Sequence, residues 1–140
     1  MTKLILDTNV YIEWLNQRLY EGLVLGPGFV RYLSSVVVTE LRAGAITHAA
    51  RRQLDQLIRA HATAGRLVAP SPREFDDAGV VLRALRSAGQ EIRRASLVSD
   101  LLIALTARQM GATVYTNDTA DFEAIRRIRD FSLRALSPAR

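Results

Sequence analysis

The chain has no cysteine and only two histidines, His48 and His61, in 140 residues. The first absence excludes disulfides, thiol catalysis and any zinc or iron–sulfur site built on sulfur. The second excludes a metal centre made chiefly of imidazole. Lysine is nearly missing as well: Lys3 stands alone, and arginine carries the rest of the basic charge. No apolar run approaches the ~20 residues of a membrane span, so no membrane partner is expected. The opening MTKLILDTNV meets an aspartate after one short apolar run, which is too brief for a signal peptide, and a cytoplasmic location is expected. A hydrolytic site in such a chain has to be built from carboxylates, hydroxyls and amides.

What is present is an ordinary globular composition, 49% apolar and 24% charged. The length suits one domain over residues 1–140, with enough chain to bury a core. The formal charge of +5 and a pI near 10.4 favour a polyanionic partner, of which nucleic acid is the commonest.

The apolar pattern alternates strands with helices. Lys3 to Leu6 reads as a buried strand feeding a cap at Asp7-Thr8-Asn9, followed by a helix over Val10 to Leu15 that carries Tyr11 and Trp14. Gly22, Gly26, Pro27 and Gly28 mark a loop-rich stretch. The β-branched run Val36-Val37-Val38 predicts a second buried strand entering Thr39-Glu40-Leu41. Helical spacing returns over residues 47–64, with His48 and His61 expected at the surface, and Gly65 ends it. Leu67 to Ala69 is a third strand, and a second amphipathic helix places Phe75, Ala78, Val81, Leu82 and Leu85 on one stripe. Leu97 to Met110 is apolar almost all round and predicts a buried helix capped by Ser96 or Ser99. Thr113 to Thr116 is a strand, Thr119 to Arg127 a helix, and Phe131 to Leu136 an edge strand. This order implies an α/β fold with a mainly parallel sheet covered on both faces.

In a parallel sheet the strand C-termini share one edge, where open α/β folds bind ligands. Asp7, Glu40 and Asp118 each follow a predicted strand end, and Asp100 lies at the start of the apolar helix. Each alone has an ordinary explanation: Asp7 as a helix cap, Glu40 and Asp100 as acids near a helix start, Asp118 and Asp121 as turn formers. Together they would repel one another unless a cation lies among them. With neither sulfur nor imidazole at hand, that cation is a hard, oxygen-preferring Mg²⁺ or Mn²⁺. The residues therefore point to metal-dependent phosphoryl hydrolysis, and the basic charge to a nucleic-acid substrate.

The chain also resembles the PIN domains, and among them the VapC-type toxins of toxin–antitoxin pairs. The likeness rests on LILDTNVYIEWL, LSSVVVTELRAGA and VSDLLIALTARQMGATVYTNDTADFEAI, in that order over nearly the whole chain. It implies a three-layer α/β/α sandwich with a five-stranded parallel sheet, and a Mg²⁺- or Mn²⁺-dependent endoribonuclease. It also implies a small antitoxin as partner and a homodimer. By position, Asp7, Glu40, Asp100 and Asp118 would be the acidic quartet, and Asp121 an auxiliary carboxylate. Asn9 and Thr116 would orient the carboxylates or contact the scissile phosphate. Arg93 and Arg94, shortly before Asp100, are the candidate RNA contacts, whereas Arg51 and Arg52 fall on a solvated helix face. Tyr11 and Trp14 suit packing or a groove for a protein partner.

Two other functions compete. A haloacid-dehalogenase-type phosphatase also begins with an aspartate after its first strand, but it needs Asp-x-Asp, where this chain has Asp7-Thr8-Asn9, and a late lysine, where it has only Lys3. A catalytically inactive RNA-binding module would not need the acidic quartet. An NTPase is excluded by the absence of a Walker-type glycine loop.

Overall fold

The computed structural model describes residues 1–137, so the last three residues of the expected 1–140 domain lie outside the described residues. Five strands form one parallel sheet in the order β3-β2-β1-β4-β5: β1 Thr2–Leu6, β2 Phe29–Ser34, β3 Leu67–Val68, β4 Thr113–Thr116 and β5 Ser132–Ala135. Seven helices are described between them: α1 Thr8–Gln17, α2 Glu21–Leu25, α3 Ser35–Gly44, α4 His48–Thr63, α5 Pro72–Ser87, α6 Ala95–Met110 and α7 Ala120–Ile128. The result is the three-layer α/β/α arrangement expected from the alternation of elements.

β1 is central because Leu4, Ile5 and Leu6 are buried in succession, the signature of a strand covered on both faces. It pairs with β2 on one side and β4 on the other, Ile5 facing Tyr32 and Val114. The chain moves outward through β2 and β3, then returns to the far side of β1 through β4 and β5. The strand order thus reverses between β1 and β4, and their C-terminal ends open onto the crevice where such sheets place ligands. The other central member is α6, with Leu97 and the run Leu101 to Ala107 all buried. It packs on α5, α7 and α3 as well as on β1 and β4, which explains why its sequence has no polar stripe.

Several expectations need correction. Val36-Val37-Val38 belong to α3, and the second strand is β2, which begins at Phe29 directly after Gly28. Ser34 ends the strand and starts the helix, its Oγ accepting from the Val36 amide at 3.2 Å. Val37 and Leu41, four residues apart, then face the core together, and burial overrides the β-preference of the valines. Glu40 consequently comes from within a helix, not from just past a strand end. The loop-rich stretch itself holds α2, entered through two left-handed residues, Arg18 at φ 58 and Tyr20 at φ 60. Helix α6 starts one residue before Ser96, with Arg94 as its N-cap, and neither Ser96 nor Ser99 caps it. Phe75 is 55% exposed, so the inner stripe of α5 is Ala78, Val81 and Leu85 without it. Tyr11 and Trp14 are both core residues, 0% and 6% exposed, and of the two only Trp14 also lines an open cavity, with Arg18 and Leu57.

Candidate active site

Asp7 extends the central pairing by one residue, its amide donating to the Tyr115 carbonyl at 2.9 Å before the chain turns into α1. It is also the N-cap of that helix: Oδ1 accepts from the Thr8 amide at 2.8 Å. The ordinary and the functional readings of Asp7 therefore coexist, and its other oxygen separates them. Oδ2 accepts from the Thr116 hydroxyl at 2.8 Å, across the reversal point of the sheet. Thr116 is fully buried beneath the site and also receives the Asn9 amide at 3.2 Å and the Asp118 backbone amide at 3.1 Å. One hydroxyl thus ties the end of β1, the first turn of α1 and the turn after β4 into a single unit.

Glu40 reaches the same place from α3, its Oε1 accepting from the Thr8 hydroxyl at 2.6 Å. Nothing in the Asp-Thr-Asn pattern by itself marks Thr8 as more than part of a helix cap. It fixes two carboxylates at once, Asp7 through its amide and Glu40 through its hydroxyl. Asp100 enters from the second turn of α6, Asp118 from the turn before α7 and Asp121 from the first turn of α7. Asp7, Glu40, Asp100, Asp118 and Asp121 all line one cavity of 390 Å³, with Thr8, Asn9 and Arg94. Residues from the first turns of α1, α6 and α7 line it too, so three positive helix ends face the acids. Of the candidate RNA contacts, Arg94 belongs to this cavity and Arg93 does not: Arg93 is 90% exposed and pairs with Glu91 in the preceding loop.

Crowding shows in the proton affinities. Burial, with repulsion from Asp7, Asp121, Glu40 and Asp118, pushes the Asp100 carboxyl up to about 8. Burial also raises Asp7, to about 6, although the Thr116 and Thr8 hydrogen bonds hold it down and Glu40 and Asp118 add repulsion. The cluster thus retains protons near neutrality that isolated carboxyls release, which is what mutual repulsion in a part-buried cavity produces when no cation divides the charges. The donors are all oxygen, the set that hard divalent ions select. Among the described residues no three His, Cys, Asp or Glu side chains close into a ready-made metal cage. The carboxylates stand around the cavity walls, leaving room for water or a phosphate oxygen to complete a coordination shell.

Arg94 supplies the only positive side chain lining this cavity among the described residues. Its guanidinium grips both oxygens of Asp121, each at 3.1 Å. As the N-cap of α6 it offers no side-chain acceptor to the first-turn amides, and it puts a cation at the positive end of the helix. Its side chain is 42% exposed, a setting in which an ion pair adds little to stability. Folding alone gives no reason for an arginine there.

No curated protein matches this chain. Among solved structures, a chain of FitAcB from Neisseria gonorrhoeae is 28% identical, with a TM-score of 0.69 and 93% of this chain and 95% of that one covered. A chain of VapBC2 from Rickettsia felis, solved with a DNA fragment from the promoter, is 24% identical, with a TM-score of 0.69 and coverage of 97% and 100%. A chain of VapBC-5 from Mycobacterium tuberculosis, a member of the VapBC family of toxin–antitoxin systems, is 23% identical, with a TM-score of 0.67 and coverage of 97% and 100%. The PIN domain family model matches residues 4–128, which takes in the sheet's reversal point and every acid of the cavity, and the chain belongs to that family.

Proposed function

We propose that this protein is a Mg²⁺- or Mn²⁺-dependent endoribonuclease and the toxin of a type II toxin–antitoxin pair. The observation that carries the reading is the single cavity lined by five carboxyls, two of them, Asp7 and Asp100, raised above the usual carboxylate range by burial and by neighbouring acids. Asp7, Glu40, Asp100 and Asp118 would hold the ion, with Asp121 as an auxiliary group. A closed cage is not required, because Mg²⁺ keeps several waters and is commonly held by one or two carboxylates together with substrate phosphate. Bound there, a divalent ion neutralises charge on the phosphoryl group and makes a water a better nucleophile.

The chain's own residues do the rest. Thr116 and the Thr8 amide fix both oxygens of Asp7, and the Thr8 hydroxyl orients Glu40. Asn9 braces Thr116 from α1, with its amide oxygen toward the Asn117 amide at 3.5 Å. The α1, α6 and α7 N-termini favour a phosphate at the cavity mouth, and Arg94 is positioned to contact it. Arg93, outside the cavity, would meet the RNA backbone further along. The test is cleavage of a single-stranded RNA with Mn²⁺, with Mg²⁺ and with chelator. Metal-independent cleavage would overturn the reading, and RNA binding without cleavage at any metal concentration would favour an inactive RNA-binding module instead.

The antitoxin and the homodimer are part of the same proposal. They draw support from family membership and from the 28% identity to a chain of FitAcB. The antitoxin would block the acidic cavity, with an arginine among the carboxylates as a bidentate counter-ion. Co-expression with the neighbouring small gene product should yield a complex inactive on a minimal RNA, and a complex that cleaves at the full rate would contradict this. Light scattering of the free chain tests the dimer. No described helix is long and apolar enough to cross a membrane, and cytoplasmic RNA would be within reach of a cytoplasmic enzyme, the location proposed here.

A further inference from the structure

The pairing of Arg94 with Asp121 has a consequence for the nuclease reading, on which the following rests. A carboxylate whose two oxygens both accept from one guanidinium has its best lone pairs occupied. A hard divalent ion in the cavity would seek the same oxygens. We propose that Arg94 occupies Asp121 in place of a divalent cation, and that cation binding releases the guanidinium to hold an RNA phosphate.

Arg94 suits both positions. It is anchored at the first residue before α6, so the released side chain stays at the mouth of the cavity that Asp100, on the same helix, also lines. Its planar fork matches a phosphate as well as a carboxylate. It is half-exposed and its side chain makes no cap hydrogen bond, so little packing opposes the move. The exchange couples the two ligands. A phosphate that draws Arg94 away frees Asp121 for the ion, and an ion at Asp121 frees Arg94 for the phosphate, so each should tighten the other by the same factor.

Calorimetric titration of the full chain with Mn²⁺, without RNA, tests the exchange. Arg94→Gln should tighten Mn²⁺ binding by roughly two- to fivefold, the scale of an exposed ion pair. In an Asp121→Asn background the same change should give no gain, because the contested carboxylate is gone. Binding of a non-cleavable 2′-O-methyl RNA in Mn²⁺ should weaken in Arg94→Gln, with the salt slope reduced by about one. Unchanged or weaker Mn²⁺ binding in Arg94→Gln would overturn the exchange, the second result marking Arg94 as a brace that orients Asp121. An equal gain in the Asp121→Asn background would overturn it too, reducing Arg94 to general repulsion. A wild-type chain that binds no Mn²⁺ defeats the metal-nuclease reading and the exchange together, whereas normal wild-type binding with no effect of Arg94→Gln defeats the exchange alone.

Discussion

Two cavities of comparable size carry opposite charge. The acidic one, 390 Å³, opens at the reversal point of the sheet; the other, 510 Å³, lies between α1, α2, β2 and α4 and is lined by Arg18, Arg31 and Arg66 beside Trp14, Leu57 and His61. The larger is not the better candidate for chemistry, because two of its three arginines already have work within the fold. Arg31 donates to the Leu23 and Gly26 carbonyls and so fastens α2 to the sheet. Arg18 sits 5.1 Å from the centre of the Trp14 ring, within range of a cation–π contact. His61 is held by the Leu57 carbonyl at 2.8 Å, and burial lowers its pKa, so it stays neutral near pH 7. In the acidic cavity the hydrogen bonds from Thr8 and Thr116 and the Arg94–Asp121 pair relieve only part of the repulsion, and Asp7 and Asp100 stay raised. A cluster that costs stability where a neutral lining would not is the better mark of function.

The largest difference should appear in cleavage. Asp7→Asn or Asp100→Asn removes a charge that would face the ion while keeping side-chain shape. Either should lower RNA cleavage by about 100-fold or more, corresponding to a few kcal/mol of transition-state stabilisation. Arg66→Ala, in the other cavity, should stay within about twofold on a short RNA, a distal substitution with no role in transition-state stabilisation. Equal losses in both cavities would erase the distinction drawn here. Thr116→Val should fall between them. It takes away the hydrogen bond that holds Asp7 down. The Asp7 carboxyl should then rise above about 6, and metal affinity should drop on the order of 10–100-fold, as for other partners of ligating groups.

A stability measurement sharpens the comparison without RNA. Asp100 ionises near 3.8 in an unconstrained chain and near 8 in the fold. Between those values the native state keeps a proton that the unfolded state has lost, so native stability is greatest at the acid end and falls as pH rises toward about 8. Asp7 adds to the same slope up to about 6. In chelator, the melting temperature should therefore decline between pH 5 and pH 8 on the order of 5 °C, a shift typical of about one or two kcal/mol in a domain of this size. Asp100→Asn should flatten that decline, and saturating Mn²⁺ should do the same by ligand stabilisation of the native state. A melting temperature that rises over this range in chelator would mean that the acids are not crowded as described.

The two cavities also differ in how far the sequence reveals them. Asp7 and Asp118 stand just past strand ends, where the short local patterns LILDTN and TVYTND mark both the strand and the residue after it, and Asp100 stands out as the acid in an otherwise apolar helix. The alternation of apolar runs likewise places β1, β4, α4, α5 and α6 within a few residues. Glu40 lines the same cavity as the other acids but reaches it from a different element than its sequence suggests, because Val36 to Val38 prefer a strand locally and become helical only through packing against the core. The strand that replaces them, β2, holds Arg31 in mid-strand, and its guanidinium needs the carbonyls of α2, which no local pattern announces. The arginine cavity was invisible for the same reason, since it draws on four elements spread from Trp14 to Arg66. Likewise Arg94 was read as an RNA contact without its partner, since Asp121 lies 27 residues away on another helix.

The smallest expected effect lies within the acidic cavity, between its two late carboxylates. Asp118→Asn should lower cleavage far more than Asp121→Asn. Among the described residues no hydrogen bond engages the Asp118 carboxylate, and its backbone amide is pinned to Thr116 at 3.1 Å, so its free oxygens start from the same unit that fixes Asp7. Asp121 begins from the opposite condition, with both oxygens held by Arg94. An ion must displace that guanidinium before Asp121 can serve it, so Asp121 suits an auxiliary contact or one made through water. Replacing it should chiefly raise the Mn²⁺ concentration needed for activity, leaving the saturated rate within about tenfold, the lower end for an indirect partner. Asp118→Asn should depress the rate at saturating Mn²⁺ as well. Both variants, assayed across a Mn²⁺ titration, separate affinity from saturated rate. A dead Asp121→Asn beside an active Asp118→Asn would reverse the assignment and make Phe122, fully buried next to it, the residue that sets a catalytic Asp121 in place.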